Sequence, residues 1–272
     1  MGPVIDAAWL AEHIGDPGLR VIDFRWYLDG RRGRDEYAAG HIPGAVFVDI
    51  ADVTADSGPG RHPIPSPQRF ATAMRAAGVS GATGVVVYDD VGGSIAARLW
   101  WLLRHFGHQA VAVVDGGLQA WPGELSTEEP RPPAGDFEAV EAAGEVVDLE
   151  AVRGRAPEAV LLDARAGERY RGETELVDPR AGHIPGAVSA PWMGNLGEDG
   201  RLLPAERLRE RMAGLGAAAA QEVIVSCGSG VTACHLALAM EVAGLGRPRL
   251  YEGSWSEWSR RPDLPAATGP EP

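Results

Sequence analysis

Only two cysteines occur in 272 residues, Cys227 and Cys234. Two thiols seven apart on one loop and helix give no disulfide framework, and a reducing compartment suits them. Cations are also scarce: 25 basic against 38 acidic residues leave a formal net charge of −13. A nucleic-acid or anionic-membrane partner needs a basic footprint, so neither is expected. A small anionic substrate stays open, because it feels local rather than net charge. No apolar run reaches membrane-spanning length. The opening MGPVIDAAWL lacks the basic region and apolar stretch of a signal peptide, and Asp6 stands where myristoylation wants Ser or Thr. These absences predict a cytoplasmic protein. The seven histidines are scattered, neither cysteine has a partner at ligand spacing, and no phosphate-binding loop carries Lys-Ser or Lys-Thr. No metal and no cofactor is therefore expected.

What the chain does contain centres on Val223–His235, VIVSCGSGVTACH. Val223, Ile224 and Val225 read as a buried parallel strand. Cys227 follows, then Gly228-Ser229-Gly230, and from Thr232 a run whose spacing predicts a buried helix ending at Gly244. A strand, a glycine-rich loop and a helix start direct successive backbone N–H groups at whatever opens the loop. Such surroundings favour a thiolate over a thiol. Cys227 thus reads as a nucleophile, with the amides of Gly228, Ser229, Gly230, Val231 and Thr232 around it. Cys234, about one turn into the helix, reads as a packing residue.

The sequence also contains itself twice. VIDFR at Val21–Arg25 returns as LLDAR at Leu161–Arg165, and AGHIPGAV at Ala39–Val46 returns letter for letter at Ala181–Val188. VVVYD at Val85–Asp89 matches VIVSC at Val223–Cys227, and DGGLQAW at Asp115–Trp121 matches EGSWSEW at Glu252–Trp258. Four matches in one order, at offsets of 137 to 142 residues, mean two homologous halves. Each alternates strands with helices, including Ser66–Gly78 with a serine cap and Pro67 at its first position, and its partner Pro204–Gly214. The expected fold is α/β, with two tandem domains, each a parallel sheet with helices on both faces. The predicted divisions are a first domain over 1–125, a Pro- and Glu-rich linker over 126–145 and a second domain over 146–272. The proline-rich end, RRPDLPAATGPEP, is expected to fray. Asp89 stands where the second half has Cys227, so the first half lacks the thiol nucleophile.

GHIPGA twice, CGSGVTA once and the two glycine–tryptophan segments resemble the two-domain rhodanese-type sulfurtransferases, over about Val4 to Arg261. CGSGVTA is similar to the loop of the 3-mercaptopyruvate branch. The resemblance implies two rhodanese-like domains, the second catalytic. It implies sulfur transfer from a small anionic donor, 3-mercaptopyruvate or thiosulfate, through a Cys227 persulfide to a thiol or cyanide acceptor. It assigns Arg169 to the donor's acidic group, a role that suits a guanidinium fork. It offers Arg180 as the counterpart of a second substrate arginine, in a segment that is short here. It places Trp26 near the active sulfur and His62 near the domain cleft, and suggests a proton relay of Ser229, His41 and Asp35. Against that relay, His183 occupies the same motif in the other half, so both histidines are open to a turn-bracing reading. Asp163 and Arg165 are expected to pair structurally. A cysteine phosphatase would need Arg where this chain has Ala233. A persulfide carrier without turnover would use the same loop, and the sequence leaves it open.

Overall fold

The structure is a computed structural model that describes residues 1–272. It forms two compact units, and neither is a continuous stretch. The first comprises Met1–Ala55, Ile64–Ala142 and Glu198–Leu202, the second Asp56–Pro63, Ala143–Gly197 and Leu203–Pro272.

In the first unit the strands are β1 (Val4–Ile5), β2 (Leu19–Asp23), β3 (Val46–Phe47), β4 (Gly84–Tyr88) and β5 (Val111–Val114). They pair in parallel in the order β1-β5-β4-β2-β3. Helices α1 (Ala7–His13), α2 (Gly33–Ala39), α3 (Pro67–Ala76) and α4 (Ala96–His105) connect them. The central strand β4 is apolar at consecutive positions and buried from Val85 to Tyr88, as a strand covered on both faces must be. Helix α3 starts as its sequence requires: the Ser66 side chain accepts the Arg69 N–H and Pro67 sits where no intrahelical donor is needed. Trp100 and Trp101 of α4 are both core residues, 1% and 2% exposed. Residues 126–142, expected to cross the surface as linker, pack on this unit. Ser126 bridges to His41, and Phe137 is buried with its ring edge against Phe70 and His108.

The second unit repeats the plan with β6 (Val146–Val147), β7 (Val160–Asp163), β8 (Ala187–Ser189), β9 (Val223–Ser226) and β10 (Arg249–Tyr251). Its order, β6-β10-β9-β7-β8, is the same topology, again all parallel. Helices α5 (Leu149–Arg153), α6 (Gly167–Tyr170), α7 (Ala205–Gly214), α8 (Ala233–Val242) and α9 (Ser254–Trp258) complete it. Helix α8 is buried almost all round, from Ala233 to Met240, which explains its uniformly apolar sequence. The predicted fraying of the end is overturned. Ala267 bridges to His183, Leu264 is buried, and the Glu271 carbonyl reaches His183 Nε2 at 3.1 Å. Prolines remove backbone donors, but the carbonyls and apolar side chains of this segment still find partners. No helix is long and apolar enough to cross a membrane.

The repeated motifs mark one device built twice. Asp23 pairs with Arg25, whose Nη2 reaches the Gly40 carbonyl at 2.8 Å; Asp163 pairs with Arg165, whose Nη2 reaches the Gly182 carbonyl at 2.8 Å. The expected Asp163–Arg165 pair is thus a strand-end clasp on the GHIPGA turn. The next residue of that turn stacks on a tyrosine: His41 on Tyr37 at 3.8 Å and His183 on Tyr170 at 3.7 Å. Burial pushes both tyrosine hydroxyls up to about 12, so each stays a donor, to the Ala45 and Ala187 carbonyls.

Candidate active site

Cys227 stands just beyond the carboxyl end of β9 and is 2% exposed. Its Sγ accepts the Ser229 N–H at 3.4 Å, the short-range contact expected of a thiol at the head of a nest. Only Gly230 of the two loop glycines adopts a left-handed conformation, with φ 75°, and a Cβ there would meet the Glu252 carbonyl at 2.8 Å. Gly228 is small for another reason. A Cβ in its place would lie 3.0 Å from Arg61 Nη2 and 3.5 Å from Arg169 Nη1. The missing side chain lets two guanidiniums close on the loop.

The glycine–tryptophan segment fixes the loop from behind. The amides of Trp255 and Ser256 donate to the carbonyls of Cys227 and Gly228 at 3.0 and 2.9 Å, turning those oxygens away from the sulfur. Ser254 takes φ 51°, a left-handed conformation rare for a side-chain-bearing residue. Its hydroxyl accepts the Cys227 N–H at 3.1 Å and donates to the Tyr251 carbonyl at 2.8 Å. The strain is held where it positions the cysteine.

Ser229 Oγ lies 2.8 Å from His62 Nδ1. The relay expected from the family resemblance is therefore corrected: the histidine beside Ser229 is His62. His41 has both ring nitrogens on carbonyls, those of Tyr37 and Glu128, each at 2.8 Å. Asp35 is exposed and faces Arg32 at 3.9 Å. His41 braces its turn, as His183 does.

Arg169, at the end of α6, does face the cysteine loop. Its Nη2 pairs with Glu175 at 2.7 Å and with Asp178 at 3.1 Å. The other oxygen of Asp178 pairs with Arg61, so one carboxylate bridges both guanidiniums. Burial alone would raise Glu175, but the Arg169 bond and the Val177 and Asp178 amides outweigh it and hold the carboxyl below its ordinary value. For Asp178 burial wins over the two arginines and pushes the carboxyl up. Arg165 lies behind them, nearly buried, with Nη1 3.7 Å from Glu175 and its guanidinium over the Trp255 ring at 4.9 Å. The chain has no lysine, so every side-chain cation here is a planar fork suited to carboxylate or oxyanion.

Arg180, expected as a second substrate arginine, is corrected too. It donates to four carbonyls, of Trp258, Ser259, Arg261 and Leu264, at 2.9 to 3.1 Å. Its fork is consumed in holding the turn after α9. Trp26 lies half-buried beyond the end of β2 in the first unit. Cys234 is fully buried in α8 with its Sγ 3.3 Å from the Gly230 carbonyl. No group of three His, Cys, Asp or Glu side chains is gathered to hold a metal ion.

At the matching place in the first unit, Asp89 fills the nest itself. Its Oδ1 accepts the Val91 and Gly93 amides at 2.9 and 2.8 Å, and its Oδ2 those of Ile95 and Ala96 at 2.7 and 2.8 Å. Burial nonetheless pushes this carboxyl above the ordinary carboxylate range, against the pull of the four amides.

Sequence reasoning missed Arg61, Glu175, Asp178 and Ser254. Arg61 adjoins His62 in GRHPIP, and its charge was a usable signal. Glu175 and Asp178 lie in a stretch that the first half lacks: Tyr37 precedes His41 by four residues, whereas Tyr170 precedes His183 by thirteen.

Both halves match known proteins. The model of the rhodanese-like domain matches residues 6–124 and again 148–261. A protein of Pseudomonas aeruginosa described as a probable 3-mercaptopyruvate sulfurtransferase is 44% identical, covering 98% of each chain. A putative thiosulfate sulfurtransferase of Mycobacterium tuberculosis is 40% identical, covering 98% of this chain and 97% of its own. The crystal structure of SseA from Escherichia coli, described as a 3-mercaptopyruvate sulfotransferase with the rhodanese fold, superposes with a TM-score of 0.84. It is 37% identical, with 94% of this chain and all of that one covered. With both halves matched, the chain belongs to the rhodanese family and carries two rhodanese-like domains.

Proposed function

We propose that the chain is a sulfurtransferase that moves sulfane sulfur from 3-mercaptopyruvate, or more slowly from thiosulfate, to a thiol or cyanide. The observation that carries this reading is Cys227 at the head of its loop, with two guanidiniums beside Gly228 and the Ser229–His62 pair next to it. The Cys227 thiolate attacks the sulfur of 3-mercaptopyruvate. The S–S bond forms as the C–S bond breaks, and the bonding pair leaves on carbon as the enolate of pyruvate. The enolate takes a proton at carbon, and the Ser229 hydroxyl, backed by His62, is placed to hydrogen-bond its oxygen. Arg169 and Arg61 hold the carboxylate through charge-assisted bonds. An acceptor thiolate or cyanide then removes the outer sulfur and returns Cys227, which is covalent catalysis with ping-pong kinetics. Thiosulfate gives the same persulfide, with sulfite as leaving group.

The relatives support both donors, and the neutral loop of Gly228 and Ser229 favours the monoanion. The sparse thiols support the cytoplasm as the working compartment. Steady-state assay with each donor and cyanide, counting thiocyanate, is the test. We expect many turnovers per enzyme and the higher kcat/KM with 3-mercaptopyruvate. A single equivalent loaded and then no further turnover would identify a carrier instead, and a clear thiosulfate preference would reverse the donor assignment.

A further inference from the structure

The clamp that faces the donor is not a bare positive site. Three guanidiniums, of Arg61, Arg165 and Arg169, are matched there by three carboxylates, of Asp163, Glu175 and Asp178. Two of the pairings are permanent in kind. Asp163 and Arg165 form the clasp shared with the first unit, and Glu175 also caps its own turn by accepting the Val177 and Asp178 amides at 2.9 and 3.0 Å. Asp178 differs. No backbone amide claims its carboxylate, and it spends one oxygen on Arg61 and the other on Arg169. These are the two guanidiniums that flank Gly228. The side chain of Asp178 is 1% exposed, while each arginine is 20% exposed. Its neighbours do not anchor it by packing, since Leu176 is 94% and Val177 40% exposed. The turn is fastened at this point by the charges.

We propose that Asp178 is a specificity-determining residue, an internal carboxylate that occupies the Arg61–Arg169 clamp as the donor's acidic group would and selects monoanionic over dianionic donors. This rests on the sulfurtransferase reading for its substrates, though not for its electrostatics. With Asp178 in place the mouth is electrically balanced. Without it the mouth carries one net positive charge. Coulomb energy scales with ligand charge, so the factor gained by a dianion is the square of that gained by a monoanion, about 25-fold against about fivefold.

The test is kcat/KM for thiosulfate and for 3-mercaptopyruvate in the wild type and in Asp178→Asn, at constant ionic strength. We expect both to rise and the thiosulfate-to-mercaptopyruvate ratio to rise about fivefold. A fall in both by a common factor would show that Asp178 merely positions the arginines, and an unchanged ratio would equally overturn the proposal. Asp178→Ser makes the same charge change should the asparagine variant not fold. Alkylation of Cys227 reads the clamp without any turnover. The rate with iodoacetate relative to iodoacetamide should rise about fivefold in Asp178→Asn. Absence of turnover in the wild type with a shifted alkylation ratio would reject the function and keep the selector; turnover with a fixed ratio would do the reverse. In the wild type alone, sulfate should protect Cys227 from iodoacetamide no better than formate does, and protection at far lower sulfate concentration contradicts a balanced clamp.

Discussion

Asp89 and Cys227 occupy one position in two copies of one fold, and the difference between them is how the nest is used. In the first unit the loop amides converge on a carboxylate supplied by the protein, two on each oxygen. In the second the loop is one residue shorter and opens on a sulfur. The supporting parts are conserved between the copies: the strand-end clasp, the tyrosine–histidine stack and the segment docked behind the loop, where Leu118 donates to the Asp89 carbonyl as Trp255 does to that of Cys227. A nest is thus a neutral device. A fixed anion makes it structural, and a reactive one makes it catalytic.

The comparison breaks most sharply at the sulfur. Cys227→Ser should lower sulfur transfer at least about 1000-fold with the fold intact, as expected when a covalent nucleophile is lost. Cys234→Ser should keep most of the activity. Mass spectrometry after donor treatment should find the added sulfur on Cys227, and its appearance on Cys234 would exchange the two roles.

Asp89→Ala tests the other copy. It leaves four amides without a partner, three of them in buried bonds worth about 1–3 kcal/mol each, so a loss of about 3 kcal/mol or more in denaturant stability is expected. Cys227→Ala, which orphans the Ser229 amide, should cost about 1–2 kcal/mol. Equal losses would mean that the nests are held by something other than their occupants. Asp89→Cys should be destabilised as well and acquire no sulfur from either donor.

Smaller effects separate the arginines. Arg169→Ala should reduce kcat/KM by about 10- to 150-fold, the equivalent of about 1.5–3 kcal/mol for charge-assisted bonds to the donor. Arg169→Lys should recover part of it, because the charge returns without the fork. Arg180→Ala should instead cost about 1–2 kcal/mol of stability by leaving carbonyls unpaired, with KM unaltered. A raised KM in that variant would return Arg180 to the donor site.

The duplication, the parallel sheets and the place of Cys227 were legible because they leave local marks: apolar runs, glycines at loop starts and a motif repeated letter for letter. The starts of α3 and α7 were readable from Ser66 and Pro67 and from Pro204. The ring of charges around the loop was not. Arg61 meets Asp178 across 117 residues of chain, and Arg169 and Asp178, nine apart, share no periodicity. The stretch carrying Glu175 and Asp178 is an insertion after α6, but RWYLDGRRG lengthens the first half before α2, so the two offsets nearly cancel and the repeat looked uniform. His41 misled for a related reason: it is buried and sits in a motif repeated letter for letter, whereas only Gly60 and Arg61 of the His62 segment recur, as Gly200 and Arg201, with Leu202 in place of the histidine. Letter-for-letter repetition marked scaffolding, and the chemistry lies where the two copies differ: Cys227 against Asp89 and His62 against Leu202.

Residues 56–63, encoded in the first half, belong to the second unit, and residues 198–202, encoded in the second half, belong to the first. Arg61 and His62 lie on the first of these segments. A gene shortened to its cysteine-bearing half would therefore encode the nucleophile without the guanidinium beside Gly228 and without the histidine on Ser229. The copy without a cysteine cannot be deleted as a block, because the working parts of its twin are written inside it.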